Sequence, residues 1–146
     1  MGLLDIPILY LSRQITETKD EYYRLLQKVR DDGAWEEWIL YILEAARLTS
    51  ELTLKIIHGL KRLMAEFKLK MRSELKIYSQ DLLNNLFRHP YTRIDYVMRD
   101  LNVTRQTASR YLKQLVKTGF VVEHQVGNNK YYINTALIEL IIDIAE

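Results

Sequence analysis

Residues 34–72 constrain the fold most, because this stretch contains no proline and only one glycine, Gly59. Its apolar side chains recur every three or four residues, which is the period of one face of an α-helix. The pattern predicts either one very long helix or two helices joined near residues 48–51. The apolar positions are Trp35, Trp38, Ile39, Ile42, Leu43, Ala46, Leu52, Ile56, Leu60, Leu63, Phe67 and Met71.

A single helix over this stretch would be about 55 to 60 Å long, at about 1.5 Å per residue. Such a helix is longer than the diameter of a globular domain of 146 residues. We therefore expect part of its apolar stripe to pack on another chain, as dimerising helices do, which predicts a homodimer. The alternative is a hairpin of two shorter helices.

A shorter amphipathic helix is predicted before it, in "TKDEYYRLLQKVRDDG" at residues 18–33. Thr18 is expected to cap its first turn, and Gly33 is expected to follow its end. The apolar residues Tyr22, Leu25, Leu26 and Val29 recur at helical spacing, so this helix needs a packing partner.

The second half of the chain predicts three short helices followed by a β-hairpin. Ser79 is expected to cap a helix over 80–88, and Pro90 is expected to stop it. Thr92 or Arg93 is expected to start a second helix that runs to Leu101. Thr104 is expected to cap a third helix that reaches Thr118. "FVVEHQV" and "KYYIN" have strand composition and flank "GNN", a short hairpin turn. An apolar helix, "TALIELIIDIA", closes the chain.

This order of elements is that of a winged helix-turn-helix. The predicted fold class is mostly α with a small β-hairpin. Residues 1–76 are predicted to form a helical segment with the long helix, and residues 77–146 the winged helix-turn-helix domain.

The third short helix has the two faces that a DNA-reading helix requires. At 100° per residue, Ala108, Leu112, Leu115 and Val116 lie on one side. The opposite side carries Gln106, Arg110, Lys113 and Lys117 and no acid. A helix in the major groove buries one stripe against its own domain and presents donors to base edges and phosphates on the other.

Flanking residues add to this predicted interface with double-stranded DNA. Thr104, Arg105 and Thr107 are expected near backbone phosphates, because the helix N-terminus adds partial positive charge there. Asn128, Asn129 and Lys130 lie at the predicted wing tip, where they suit phosphate or minor-groove contacts. Residues 79–134 hold eight basic and four acidic side chains, so the positive charge is concentrated in this part of the chain.

Other kinds of chemistry find little support. The chain has no cysteine, its three histidines have no ligand-like spacing, and it has no glycine-rich phosphate loop. No metal, cofactor or small-molecule ligand is therefore predicted. No apolar run approaches the roughly 18 residues of a membrane span, and the start lacks the features of a signal peptide. A cytoplasmic location without membrane contact is expected.

Five stretches follow one another as in a known family: "LDIPILYLS", "DEYYRLLQKVR", "GAWEEWILYILEA", "KIYSQDLLNNLFRHPYT" and "VTRQTASRYLKQL". In this order they resemble the C-terminal half of bacterial Fic-domain proteins that carry a terminal winged helix. The family typically transfers AMP from ATP to a hydroxyl side chain of a target protein, using a His-Pro-Phe loop followed by Gly-Asn-Gly-Arg.

The chain has no such loop. "HPYTRIDY", residues 89–96, shares the His-Pro and an aromatic but lacks the glycines, the Asn and the Arg. The resemblance therefore implies no catalytic residue and no enzyme activity for this chain alone. It implies a fragment or truncated product that binds DNA in a regulatory role. The alternative is a protein-protein interaction and dimerisation module.

The resemblance also bears on the apolar start of the chain. Leu3, Leu4, Ile6, Ile8, Leu9 and Leu11 would pack on a catalytic core in the complete family fold. In this chain they are expected to be mobile, swapped, or buried against another copy.

Overall fold

The computed structural model of the chain describes residues 10–145. Within that range it contains α-helices and one small antiparallel sheet, which confirms the predicted fold class. The elements are α1 (Ser12–Glu17), α2 (Lys19–Asp32), α3 (Trp35–Glu74), α4 (Gln80–Arg88), β1 (Tyr91–Thr92), α5 (Ile94–Leu101), α6 (Arg105–Lys117), β2 (Val122–Val126), β3 (Asn129–Ile133) and α7 (Thr135–Ala145). No helix of residues 10–145 is both long and apolar enough to cross a membrane. The apolar residues predicted to be mobile, swapped or buried lie outside the described range, except Leu11.

The chain divides into two compact units, one ending at Lys55 and the other beginning at Ile56. This division lies inside α3, and the predicted domain boundary after residue 76 stays a prediction. Phe67 and Met71, near the end of α3, are buried in the core of the second unit. The last turns of the long helix therefore belong with the winged part of the chain.

The long helix is continuous over 40 residues, so the alternative of a helical hairpin is wrong. Residues 48–51, where a join was considered, are helical. Arg47 reaches in both directions along the helix there, since its guanidinium lies 2.7 Å from Glu44 and 2.6 Å from Glu51. Ion pairs at these spacings support a helix locally.

In the first unit, α2 packs on the beginning of α3 through aromatic rings. The ring of Tyr22 lies 5.0 Å from Trp38 and 6.3 Å from Tyr41, centroid to centroid. Leu25 of α2 is buried. Gly33 ends α2 with a φ of 65°, a left-handed conformation that favours glycine.

The short helix α1 was not predicted from the sequence, and the predicted capping role of Thr18 is wrong. The Thr18 side chain makes no capping hydrogen bond to α2. Its hydroxyl donates instead to the carbonyl of Gln14, at 2.8 Å, and lies 2.8 Å from the hydroxyl of Tyr41. The Thr18 hydroxyl, which the sequence pattern assigns to the start of α2, is therefore bonded to α1.

The second unit is built around one hydrophobic core. Helices α4, α5 and α6 contribute Leu82, Leu83, Leu86, Val97, Ala108, Leu112 and Leu115, and the end of α3 contributes Phe67 and Met71. The predicted caps are confirmed for two helices: Ser79 accepts from the Leu82 amide at 3.1 Å, and Thr104 accepts from the Thr107 amide at 3.3 Å. These caps determine where α4 and α6 begin.

The sheet has the order β1-β3-β2 and is antiparallel throughout. The predicted hairpin is present, with Val122 opposite Ile133 and Val126 opposite Asn129. Strand β1 was not predicted, and Thr92 opens no helix, because it pairs in the sheet with Tyr132. Arg93 is the residue that precedes α5. A strand of two residues is too short to show a period in the sequence.

Candidate nucleic-acid interface

Helix α6 has the two predicted faces. Ala108, Leu112 and Leu115 are fully buried, while Gln106, Arg110, Lys113 and Lys117 are exposed. A shallow groove of about 630 Å³ runs along the exposed side. It is lined by Gln106, Thr107, Ser109, Arg110, Lys113, Gln114 and Lys117.

A second groove, of about 430 Å³, lies between the start of α6 and the turn of the β2–β3 hairpin. It is lined by Arg93, Ile94, Asp95, Arg105, Ser109, Lys113, Asn128, Asn129, Lys130 and Tyr132. Ser109 and Lys113 line both grooves, so the two form one continuous surface, which we call the α6–wing surface. The structure therefore brings the predicted helix residues and the predicted wing residues together.

The two threonines at the start of α6 are occupied within their own turn. The Thr104 hydroxyl caps the helix and lies 3.1 Å from the Thr107 hydroxyl. Thr107 is half-buried, and Thr104 is exposed. Their hydroxyls therefore help to form the start of the helix.

Sequence reasoning missed Arg93, which joins the start of α5 to the wing. Its guanidinium donates to the Asn129 side-chain oxygen at 3.1 Å. The same group lies over the rings of Tyr96 and Tyr131, at 5.8 and 5.6 Å from their centroids. Arg93 and Asn129 are 36 residues apart, and no spacing rule in the sequence connects them.

Two carboxylates from neighbouring elements also reach this surface. Asp95 of α5 lies 3.3 Å from the guanidinium of Arg105. Glu123 of β2 accepts a hydrogen bond from Lys130, which raises the pKa of that ammonium. The sequence pattern shows correctly that α6 has no acid, but Arg105 and Lys130 are paired with acids from elsewhere.

The remaining basic residues of α6 differ from Arg105 in their ion pairing. Among the residues that the structure describes, no carboxylate lies within ion-pair distance of Arg110, Lys113 or Lys117. The Arg110 guanidinium lies 5.7 Å from the ring centroid of Tyr111. These three side chains therefore present uncompensated positive charge to solvent.

The His-Pro dipeptide lies between α4 and β1. His89 follows the end of α4 and is exposed, and Tyr91 begins β1. Its imidazole stacks near the Tyr91 ring, at 6.5 Å. Within residues 10–145, no group of three or more acidic or histidine side chains could hold a metal ion.

The family model "Protein adenylyltransferase SoFic-like, C-terminal domain" matches residues 63–137. The match runs from the last turns of α3 to the beginning of α7 and covers about half of the 146 residues. It therefore contains the core of the second unit, both grooves and the wing. The resemblance of residues 4–45 to a Fic fold lies outside the match and stays a prediction. The chain belongs to the SoFic-like C-terminal domain family of Fic-type protein adenylyltransferases.

Proposed function

We propose that the α6–wing surface binds double-stranded DNA and gives a Fic-type protein a regulatory contact with it. The observation that carries the proposal is the exposed side of α6, where Arg110, Lys113 and Lys117 have no acidic partner among the described residues. The opposite side of the same helix is locked into the core by Ala108, Leu112 and Leu115. A helix fixed in this way can enter a major groove without losing its own packing.

Each part of the surface has a distinct role in this proposal. Gln106 offers its amide to adenine, and Arg110 engages guanine or a phosphate. Lys113 and Lys117 follow along α6 and contact backbone phosphates. Asn128, Asn129 and Lys130 place the wing against an adjacent phosphate or minor groove.

AMP transfer forms no part of the proposal for this chain. The Gly-Asn-Gly-Arg segment of the family's catalytic loop is missing from its sequence. Incubation of the chain with labelled ATP and candidate protein acceptors should therefore leave the acceptors unlabelled. Label on an acceptor would contradict this part of the proposal.

The test is a titration of labelled random and genomic DNA duplexes with the chain at several salt concentrations. Phosphate-dominated binding weakens steeply as salt rises, with a slope of about −0.9 per phosphate neutralised. The double variant Arg110→Ala/Lys113→Ala should lose most of the affinity at low salt.

The matched control is Lys61→Ala/Arg62→Ala, which removes the same charge from exposed positions on α3. This control should bind nearly as well as the unmodified chain. The proposal fails if the unmodified chain shows no binding at low salt, or if the two double variants lose affinity equally.

A second candidate function, a homodimeric or protein-contact module, rests on a different surface. Trp35, Ile39 and Leu43 follow one another on the first turns of α3 and are each at least 51% exposed. Exposed apolar stripes of this kind mark protein contacts. Sedimentation should show a dimer that persists at high salt and dissociates in Trp35→Ser/Leu43→Ser. A monomer at every concentration would contradict a dimer through this stripe.

A further inference from the structure

One acid lies inside the α6–wing surface, between two of its arginines. Asp95 is in the first turn of α5. Its Oδ1 lies 3.3 Å from Arg105, and its Oδ2 lies 3.6 Å from Arg93. Each oxygen of one carboxylate therefore faces a different guanidinium, and all three residues line the second groove.

The exposure of these groups shows that the pairing contributes little to folding. The side chains of Asp95 and Arg105 are 57% and 71% exposed. Ion pairs as open to water as this one contribute little to stability, because water and salt screen them.

The two arginines differ in how freely they can leave Asp95. Arg93 is held by the Asn129 oxygen at 3.1 Å and by two tyrosine rings, and its side chain is only 29% exposed. Arg105 has no other partner than Asp95 among the described residues. A phosphate that binds Arg105 through the same nitrogen competes with the carboxylate, while Arg93 stays held by Asn129 and the two rings.

We propose that Asp95 is a specificity-determining residue that opposes phosphate binding at Arg93 and Arg105 and so lowers the affinity of the surface for DNA in general. The inference rests on the proposed DNA-binding function. A phosphate entering the groove meets a like charge that cannot withdraw far, since Asp95 belongs to a helix of the core. Only a duplex that also satisfies Gln106 and Arg110 offsets this repulsion. Specificity often depends on such a repulsive element as well as on attractive ones.

The test compares Asp95→Asn with the unmodified chain in titrations of random duplex DNA over a range of salt. Asp95→Asn should bind random duplex several-fold more tightly at low salt. The slope of log K against log salt should steepen by about 0.9, the value for one additional phosphate contact. The affinity for a preferred genomic duplex should increase by a smaller factor, so the ratio of the affinity for this duplex to that for random duplex falls.

The control is Glu139→Gln, which changes the net charge equally at an exposed position on α7 that lines neither groove. It should leave both the affinity and the salt slope close to those of the unmodified chain. Asp95→Glu keeps the charge and should stay closer to the unmodified chain than Asp95→Asn does. Thermal unfolding of all the variants checks that each is folded.

The outcomes separate this inference from the function on which it rests. If the unmodified chain binds DNA and Asp95→Asn behaves like Glu139→Gln, the role of Asp95 is overturned and DNA binding stands. Weaker binding by Asp95→Asn would show that Asp95 only positions Arg105, and it also overturns the inference. If neither the unmodified chain nor Asp95→Asn binds DNA at low salt, both proposals fall.

Discussion

Gly59 of α3 faces Leu140 of α7 so closely that a Cβ added to the glycine would lie 2.7 Å from Leu140 Cδ1. The same Cβ would lie 3.3 Å from Ile144 Cδ1. Glycine inside a helix costs about 1 kcal/mol relative to alanine. The position of Gly59 in the long helix is therefore explained by packing, because its missing side chain admits the closing helix.

Substitutions at Gly59 should separate helix propensity from packing. Gly59→Leu should lower the free energy of unfolding by about 1 to 3 kcal/mol, the usual cost of overpacking. Gly59→Ala should be nearly neutral, because the gain in propensity offsets a small shift of the Leu140 terminal methyl. Chemical denaturation measures both changes. Ala65→Leu, at an exposed position of α3, is the control, and a Gly59→Leu variant as stable as that control would contradict the packing account.

Thr92 is predicted to contribute to stability through a buried hydrogen bond. Its hydroxyl donates to the Asn85 side-chain oxygen at 2.7 Å, and both residues are buried. Thr92→Val keeps the shape but leaves the Asn85 oxygen without this donor, which should cost about 1 to 3 kcal/mol. Thr92→Ser retains the hydroxyl and should lose less. Equal losses in urea unfolding of the two variants would show that the hydrogen bond is unimportant.

Asp100 should make the stability of the second unit fall at low pH. Burial raises the pKa of its carboxyl, but hydrogen bonds from Arg99 and Asn85 outweigh this and lower the pKa below its ordinary 3.8. Asp100 therefore binds a proton more readily in the unfolded chain than in the folded chain. Its ionised carboxylate stabilises the folded state above about pH 4. This stabilisation is lost as the pH falls through the lower, folded-state pKa.

The variant Asp100→Asn tests this pH dependence. It should be less stable than the unmodified chain near pH 7, and the difference should shrink when unfolding is measured below pH 3.8. Asp81→Asn is the control, because Asp81 is an exposed acid on the neighbouring α4. A difference between Asp100→Asn and the unmodified chain that stays constant with pH would contradict the assignment.

Arg110 and Lys117 should affect DNA binding in different ways if the proposed function is right. Arg110→Ala should cost about 1 to 3 kcal/mol on a preferred duplex and relax discrimination between sequences. Lys117→Ala should weaken all duplexes about equally and reduce the salt slope by about 1. Competition titrations with preferred and random duplexes measure both effects. The same loss of discrimination in both variants would contradict the assigned roles.

The sequence predicts most helices of the second unit well because their signals are local. Ser79 and Thr104 cap helices three residues before the amides that they bind, and Pro90 follows the end of α4. The burial of Leu112 and the exposure of Lys113 follow from the period of a single helix. Thr18 shows where local reasoning fails, because an unpredicted α1 lies next to it and accepts its hydroxyl hydrogen bond.

The sequence by itself determined which side of α6 faces the core and which side carries positive charge, because helical periodicity connects neighbours in the chain. Only the tertiary structure decided that Asp95 pairs with Arg105, that Arg93 holds Asn129 of the wing, and that the end of α3 belongs to the second core. These contacts join residues from separate elements, so they follow from packing, which no local pattern encodes.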